Sequence, residues 1–317
     1  MGFVPVSTAD SGGPGGRDEW VHPPPAWPSP PAPAGGSSRT GPLPLQPMGV
    51  GEILDGAFKL YRANFKPIAL VALILSAPLQ IITSIAVRGQ NGGTGLIAIF
   101  NDPSLGSSVD SNPFQSLGAN LTLVLTTFVG FLVGPLIAGA VAKAVATSYL
   151  GGEISTGEAL RASLRCWWPL LAGSILVHLV EGVSLLGCCI GLLFVMPLWM
   201  VVSPAIVVEG LGPVQGMKRS FQLCTTRYWP VLGIALLSGL ITQTLGGMVG
   251  GVPAIAAGLI GYRWGFPLLA LGGVATAVFV GPISAIVATL VYFDLRIRRE
   301  GFDLEVMAAN TSAHGAR

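Results

Sequence analysis

The chain has 317 residues, of which 51% are hydrophobic and only 10% charged, and its mean hydropathy is +0.68. A soluble domain carries about 25% charged residues, so this composition predicts an all-α integral membrane protein. A net charge of +2 excludes the strongly basic surface of a nucleic-acid binder, which leaves the lipid bilayer, a protein partner or a second copy as expected partners.

Residues 1–47 hold 12 of the 25 prolines, including HPPPAWPSPPAPA at His22–Ala34. Such a stretch cannot bury enough apolar surface to offset its chain entropy, so a disordered tail with local polyproline II is expected. It reads as a spacer, or as a docking tail anchored by Trp20 and Trp27. It contains no apolar run of the kind found in signal peptides. Residues 48–307 form the predicted helical transmembrane domain, and 308–317 a second tail.

Gly51–Lys66 is the first predicted helix. Ile53, Leu54, Ala57, Phe58, Tyr61 and Phe65 share one face at helical spacing, with Lys59, Arg62 and Lys66 as basic content, as in a helix lying on a membrane surface. Ile68–Val87 is the first span. A polar loop follows Arg88, and Leu121–Val141 is the second span. Ser155-Thr-Gly-Glu158 has the capping-box pattern and opens a second surface helix. Leu170–Leu186 and Ile190–Val208 form a hairpin about Gly187-Cys188-Cys189. Glu209–Pro213 leads to a third surface helix. Val231–Gly261 is then either one tilted helix or a helix with partial re-entry after Pro253. Tyr262-Arg263-Trp264 is an interfacial anchor, and Leu268–Val291 is the sixth span.

The three surface helices share a pattern. AFKLYRANFKP at Ala57–Pro67, ALRASLRCWWP at Ala159–Pro169 and SFQLCTTRYWP at Ser220–Pro230 align over eleven residues, with an aromatic at the ninth position and proline at the last. The even-numbered spans carry Leu132-Val-Gly-Pro-Leu136, Phe194-Val-Met-Pro-Leu198 and Phe279-Val-Gly-Pro-Ile283, and Pro135, Pro197 and Pro282 are the predicted helix kinks. The prediction is about six transmembrane helices in three repeats of surface helix, span and kinked span. Of the 17 Lys and Arg residues, 14 lie before span one, between spans two and three, between four and five, or after span six. The positive-inside rule then puts both termini in the cytoplasm of a multi-pass protein of the cell's inner membrane.

Little in this chain suits catalysis. His22, His178 and His314 are its histidines, and no metal-ligand spacing, phosphate loop or cofactor motif occurs, so no catalytic, cofactor or metal residues are expected. The candidate polar site is His178-Leu-Val-Glu181, one helical turn apart in span three. Counted from Pro169, His178 lies about 13 Å and Glu181 about 18 Å into the membrane. A carboxylate at that depth is costly and faces the bundle interior. Ser238, Thr242, Gln243 and Thr244 of span five are its expected neighbours. Small-residue pairs at Gly130/Gly134, Gly246/Gly250 and Gly247/Gly251 are candidate helix-packing positions. Where the chain ends meet, Glu52 and Asp55 are expected beside Asp294, Arg296, Arg298 and Arg299.

Gly51-Glu-Ile-Leu-Asp-Gly-Ala-Phe-Lys-Leu-Tyr-Arg62, Val208-Glu-Gly-Leu-Gly-Pro-Val-Gln-Gly-Met-Lys-Arg-Ser-Phe221 and Tyr292-Phe-Asp-Leu-Arg-Ile-Arg-Arg-Glu-Gly-Phe-Asp303 carry a resemblance. They resemble a family of actinobacterial multi-spanning proteins similar to the membrane domain of glycerophosphoryl diester phosphodiesterases. The likeness covers about Met48–Met307. In that family the hydrolytic activity belongs to a separate soluble domain with no counterpart in this sequence, so the resemblance implies a membrane part without catalytic residues. Two readings stay open: a non-catalytic scaffold or regulatory partner, and a transporter or permease for a small solute or lipid with its polar site at Glu181 and His178. A polar cavity reaching Glu181 would separate them.

Overall fold

The computed structural model describes residues 47–88, 101, 113–149, 152, 155–185 and 190–301. The predicted tails, the Cys188-Cys189 turn and most of the loop predicted from Arg88 to Ala119 lie outside the described residues, Pro47 and Asn101 excepted. The end of that predicted loop, residues 113–119, is instead helical, the proline opening the helix that carries the second span. Among the described residues there is no strand. The helices are α1 (Val50–Ala63), α2 (Phe65–Arg88), α3 (Pro113–Tyr149), α4 (Thr156–Arg165), α5 (Trp167–Leu185), α6 (Ile190–Val195), α7 (Val202–Glu209), α8 (Pro213–Thr226), α9 (Tyr228–Ile260), α10 (Tyr262–Phe279) and α11 (Gly281–Glu300). A 3₁₀ turn, Met196–Trp199, lies between α6 and α7. Among the described residues five helical stretches are long and apolar enough to cross a bilayer: Phe65–Val87, Phe128–Tyr149, Trp167–Ser184, Tyr228–Ile260 and Tyr262–Glu300, with Leu193–Glu209 a shorter apolar one. The protein is a membrane-embedded helical bundle.

Each eleven-residue segment breaks at its eighth position. Asn64, Cys166 and Arg227 end α1, α4 and α8, and the next helix starts at the aromatic that follows. The first backbone bonds of the new helices run from Ile68 to Asn64 (3.2 Å), from Leu170 to Cys166 (3.0 Å) and from Val231 to Arg227 (3.1 Å). Each donor directly follows the segment's proline. The first residues of a helix have N–H groups without an intrahelical acceptor, so a proline there forfeits no bond. In α4 the predicted capping box is present: Ser155 Oγ accepts from Glu158 N–H at 3.2 Å, and Ser155 N–H donates to the Glu158 carboxylate at 2.9 Å.

The prolines of the even-numbered spans act differently. Pro135 lies inside unbroken α3, Pro197 sits in the 3₁₀ turn, and Pro282 is the second residue of α11. The predicted span Leu268–Val291 is therefore two helices, broken at Val280, where Pro282 has no N–H to continue the ladder. In contrast, α9 passes through Pro253 as one helix of 33 residues, about 50 Å long, with no re-entry.

The segments that follow these prolines make the core. The end of α3, α7 and α11 pack together, burying Tyr149, Ile206, Leu290, Tyr292 and Phe293 almost completely. The Tyr149 and Phe293 rings stack at 4.9 Å. Each surface helix lies on one of these segments: α4 on α3, α8 on α7 with its 3₁₀ turn, and α1 on α11. Toward α11, α1 buries Ile53, Ala57, Leu60 and Tyr61, whereas Phe58 and Phe65, assigned to the apolar face from spacing, are exposed.

The expected packing glycines divide. A Cβ on Gly250 would sit 2.6 Å from Thr276 Oγ1, one on Gly246 3.5 Å from the Thr276 methyl, and one on Gly130 3.2 Å from Leu79. Gly134, Gly247 and Gly251 meet nothing within 4 Å. Among the described glycines the tightest approach to a backbone is one the sequence reading missed: a Cβ on Gly265 would lie 2.5 Å from the Ala257 backbone, where α10 folds back on α9.

Candidate functional site

Two polar assemblies stand out against the apolar bundle. The first gathers at the end where the surface helices lie. Glu209, the last residue of α7, accepts from Arg219 Nε with both oxygens (2.9 and 3.0 Å) and from the Tyr292 hydroxyl (2.7 Å). Arg219 also donates to Glu300 at 2.8 Å, and Arg296 Nε donates to the same carboxylate at 3.0 Å. The four charged side chains are only 15–28% exposed. Bonding to Glu300 raises the already high pKa of the Arg219 guanidinium, against some desolvation. Half-buried charges of this kind are tolerated when geometry and hydrogen bonds compensate their desolvation.

Beside this network the chain ends are tied. Asp294 Oδ1 accepts from the Met48 backbone N–H at 2.8 Å, Arg298 grips Asp294 with both oxygens at 2.9 Å, and Arg298 donates to the Met48 carbonyl at 2.9 Å. The ends meet as expected, but through other partners. Asp55 pairs with Lys59 on its own exposed helix face, and Glu52 accepts from Gly49 N–H. A backbone clamp needs only one well-placed carboxylate and arginine, which side-chain counting does not anticipate.

Each surface helix also reaches a backbone carbonyl beside one of the three span prolines. Ser163 donates to Leu136 O (2.6 Å), one residue past Pro135. Ser220 donates to Leu198 O (2.7 Å), one residue past Pro197. Tyr61 donates to Val278 O (2.7 Å), the carbonyl that Pro282 leaves without a helical donor. Burial pushes the Tyr61 hydroxyl pKa up to about 12, so it stays a donor at neutral pH.

The second assembly is a cavity of about 310 Å³ between α3, α5, the broken helix, α9 and α11. Its polar lining is Glu181, Ser203, Ser238, Thr242 and Ser284, and its apolar lining includes Met196, Trp199 and Met200. Glu181 is 23% exposed and lies 2.7 Å from His178 Nδ1. His178 does not line the cavity. It is 51% exposed, with its ring 4.6 Å from that of Phe131. Of the neighbours expected from span five, Ser238 and Thr242 line the cavity, while Gln243 and Thr244 are exposed and do not. Ser203 and Ser284 come from helices that sequence spacing did not connect to Glu181. Their one trace in the sequence is a serine that follows the proline in two of the three kinked spans, Ser203 after Pro197 and Ser284 after Pro282. Among the described residues no group of three or more His, Cys, Asp or Glu side chains is placed to hold a metal.

Comparison with protein-family models, curated proteins and solved structures finds no match for this chain.

Proposed function

We propose that this chain is a permease-type membrane protein that accepts a small solute or lipid in the cavity at Glu181, with no catalytic role. The observation that carries the reading is the cavity itself. A carboxylate far along a membrane helix, beside hydroxyls from three other elements and a tryptophan, suits a binding site better than a packing contact. We also propose a three-fold repeat of surface helix, span and kinked span, with the short Leu193–Glu209 helix as a sixth span. The three bonds from surface helices to proline-linked carbonyls support it, the third joining the first and last repeats. The resemblance to the membrane domain of glycerophosphoryl diester phosphodiesterases is kept as part of the proposal.

The orientation proposed is both termini cytoplasmic in the cell's inner membrane, supported by the basic residues gathered at the surface-helix end. Cys224 cannot report on it, because its side chain is fully buried and burial pushes the thiol up to about 12. Cys166, partly exposed at the α4–α5 break, is the reporter for the inner face.

A second reading, a scaffold or regulatory partner, is favoured by one observation. The ion network ties α7, α8 and α11 into a fixed platform at the basic end. The two readings are separated by Ser284→Cys, with Cys166, Cys188 and Cys189 replaced by Ser and Cys224 by Ala. Ser284 lines the cavity and is exposed. A water-soluble methanethiosulfonate reagent labels this thiol if the cavity is open to solutes. A thiol that stays unlabelled from both sides of the membrane leaves the scaffold reading.

A further inference from the structure

The polar lining of the cavity consists largely of acceptors. Ser238 Oγ–H donates to Ala235 O at 3.1 Å, Thr242 Oγ1–H to Ser238 O at 2.9 Å, and Ser284 Oγ–H to Gly281 O at 3.1 Å. These three hydroxyl hydrogens are thus spent on their own helices, so what the three side chains offer the cavity is oxygen lone pairs, and among the described lining hydroxyls Ser203 alone keeps a hydrogen to donate. Glu181 adds a carboxylate. His178 contacts its Oε2, and Oε1 has no hydrogen-bond partner among the described residues. Among the described residues no Lys or Arg lines the cavity. An anion would find one hydroxyl donor, Ser203, against a carboxylate and three acceptor hydroxyls, and a neutral alcohol would satisfy one of those acceptors.

The complementary group is one with several donors, a positive charge and no need to accept. We infer that the cavity takes a small organic ammonium ion with an apolar body. Its three N–H donors match the carboxylate and hydroxyl oxygens. Its hydrocarbon part lies against Met196 and Met200, which adapt to irregular shapes. Trp199 supplies an aromatic face that favours a cation. A volume of about 310 Å³ is at the small end of ligand pockets, which limits the body to a short chain or a single ring. This assignment rests on the proposal that the cavity admits solutes.

The test uses the full chain in phosphatidylcholine nanodiscs, carrying Ser284→Cys as its only thiol. Hexylammonium is compared with hexanol and hexanoate, which have the same chain and a neutral or anionic head. Hexylammonium is expected to slow methanethiosulfonate labelling saturably, while the other two leave the rate unchanged. Protein carrying Cys166 as its only thiol serves as the control and keeps its rate with all three. Adding Glu181→Gln keeps the thermal midpoint but raises the half-protecting concentration about tenfold or more, since a charge-assisted bond is lost. Equal protection by hexanol, or protection unchanged by Glu181→Gln, overturns the ammonium assignment and leaves an open cavity. Failure of Ser284→Cys to label at all overturns the cavity reading itself.

Discussion

Glu209 and Glu181 are both carboxylates on apolar helices, and their surroundings differ in kind. Glu209 meets two bonds from Arg219 and one from Tyr292, and the charges around it alternate through Glu300 and Arg296. Among the described residues Glu181 has one hydrogen-bond partner, His178, and faces a space lined mostly by oxygens whose hydrogens are already used. A closed network of opposite charges holds helices in register and offers little to a ligand. An acceptor set left open beside a void is costly in the empty protein and rewarded only when a donor enters. On the proposed function, the same side chain serves as a lock at the basic end and as a receptor within the bundle.

If that contrast is right, substitutions at the basic end cost stability and those at the cavity do not. The largest effect is expected for Asp294→Ala, which frees the Met48 N–H and leaves Arg298 without its bidentate partner. A loss of about 3 kcal/mol is expected, read from thermal unfolding of the purified protein. A loss below about 1 kcal/mol would mean that the chain ends are not clamped. Ser220→Ala should cost about 1 kcal/mol by leaving the Leu198 carbonyl unpaired. Ser163→Ala removes the corresponding bond at Leu136, and an effect at only one of the two would count against the proposed repeat.

Smaller still is the effect at Glu158. Ser155 N–H, with help from its hydroxyl, holds this carboxyl below its ordinary value of 4.5. A depressed carboxyl pKa stabilises the fold above the unfolded value and loses that contribution as pH falls through the folded one. Glu158→Gln should therefore flatten the acid side of the stability curve below about pH 4.5. A slope unchanged by the substitution would show that the capping box does not hold in solution. At the bottom of the scale, Glu181→Gln in the ligand-free protein should shift stability by less than about 1 kcal/mol. A large loss there would make Glu181 a structural member like Glu209 and erase the contrast.

The sequence by itself determined the membrane class, because hydropathy over some twenty residues is a local property. It also located the surface-helix breaks to within a few residues: the spacing predicts a first helix running to Lys66, and it ends at Ala63. An aromatic two residues before a proline marks a helix start, and all three breaks fall at one register. Its capping box at Ser155 and Glu158 formed for the same reason, since those partners are three residues apart. Only the tertiary structure decided which polar groups meet. Met48 and Asp294 are separated by 246 residues, and Glu209 and Tyr292 by 83, so neither pair leaves a periodic trace. Asp55 shows how spacing misleads. Its charge suited the partner proposed for it, but Lys59 stands one turn away on the same helix, and the nearer partner won. The cavity is the extreme case. Ser203, Ser238 and Ser284 look alike in sequence to any other serine in a membrane helix, and only the packing of α3, α5, α7, α9 and α11 around a gap brings them to the cavity that Glu181 lines.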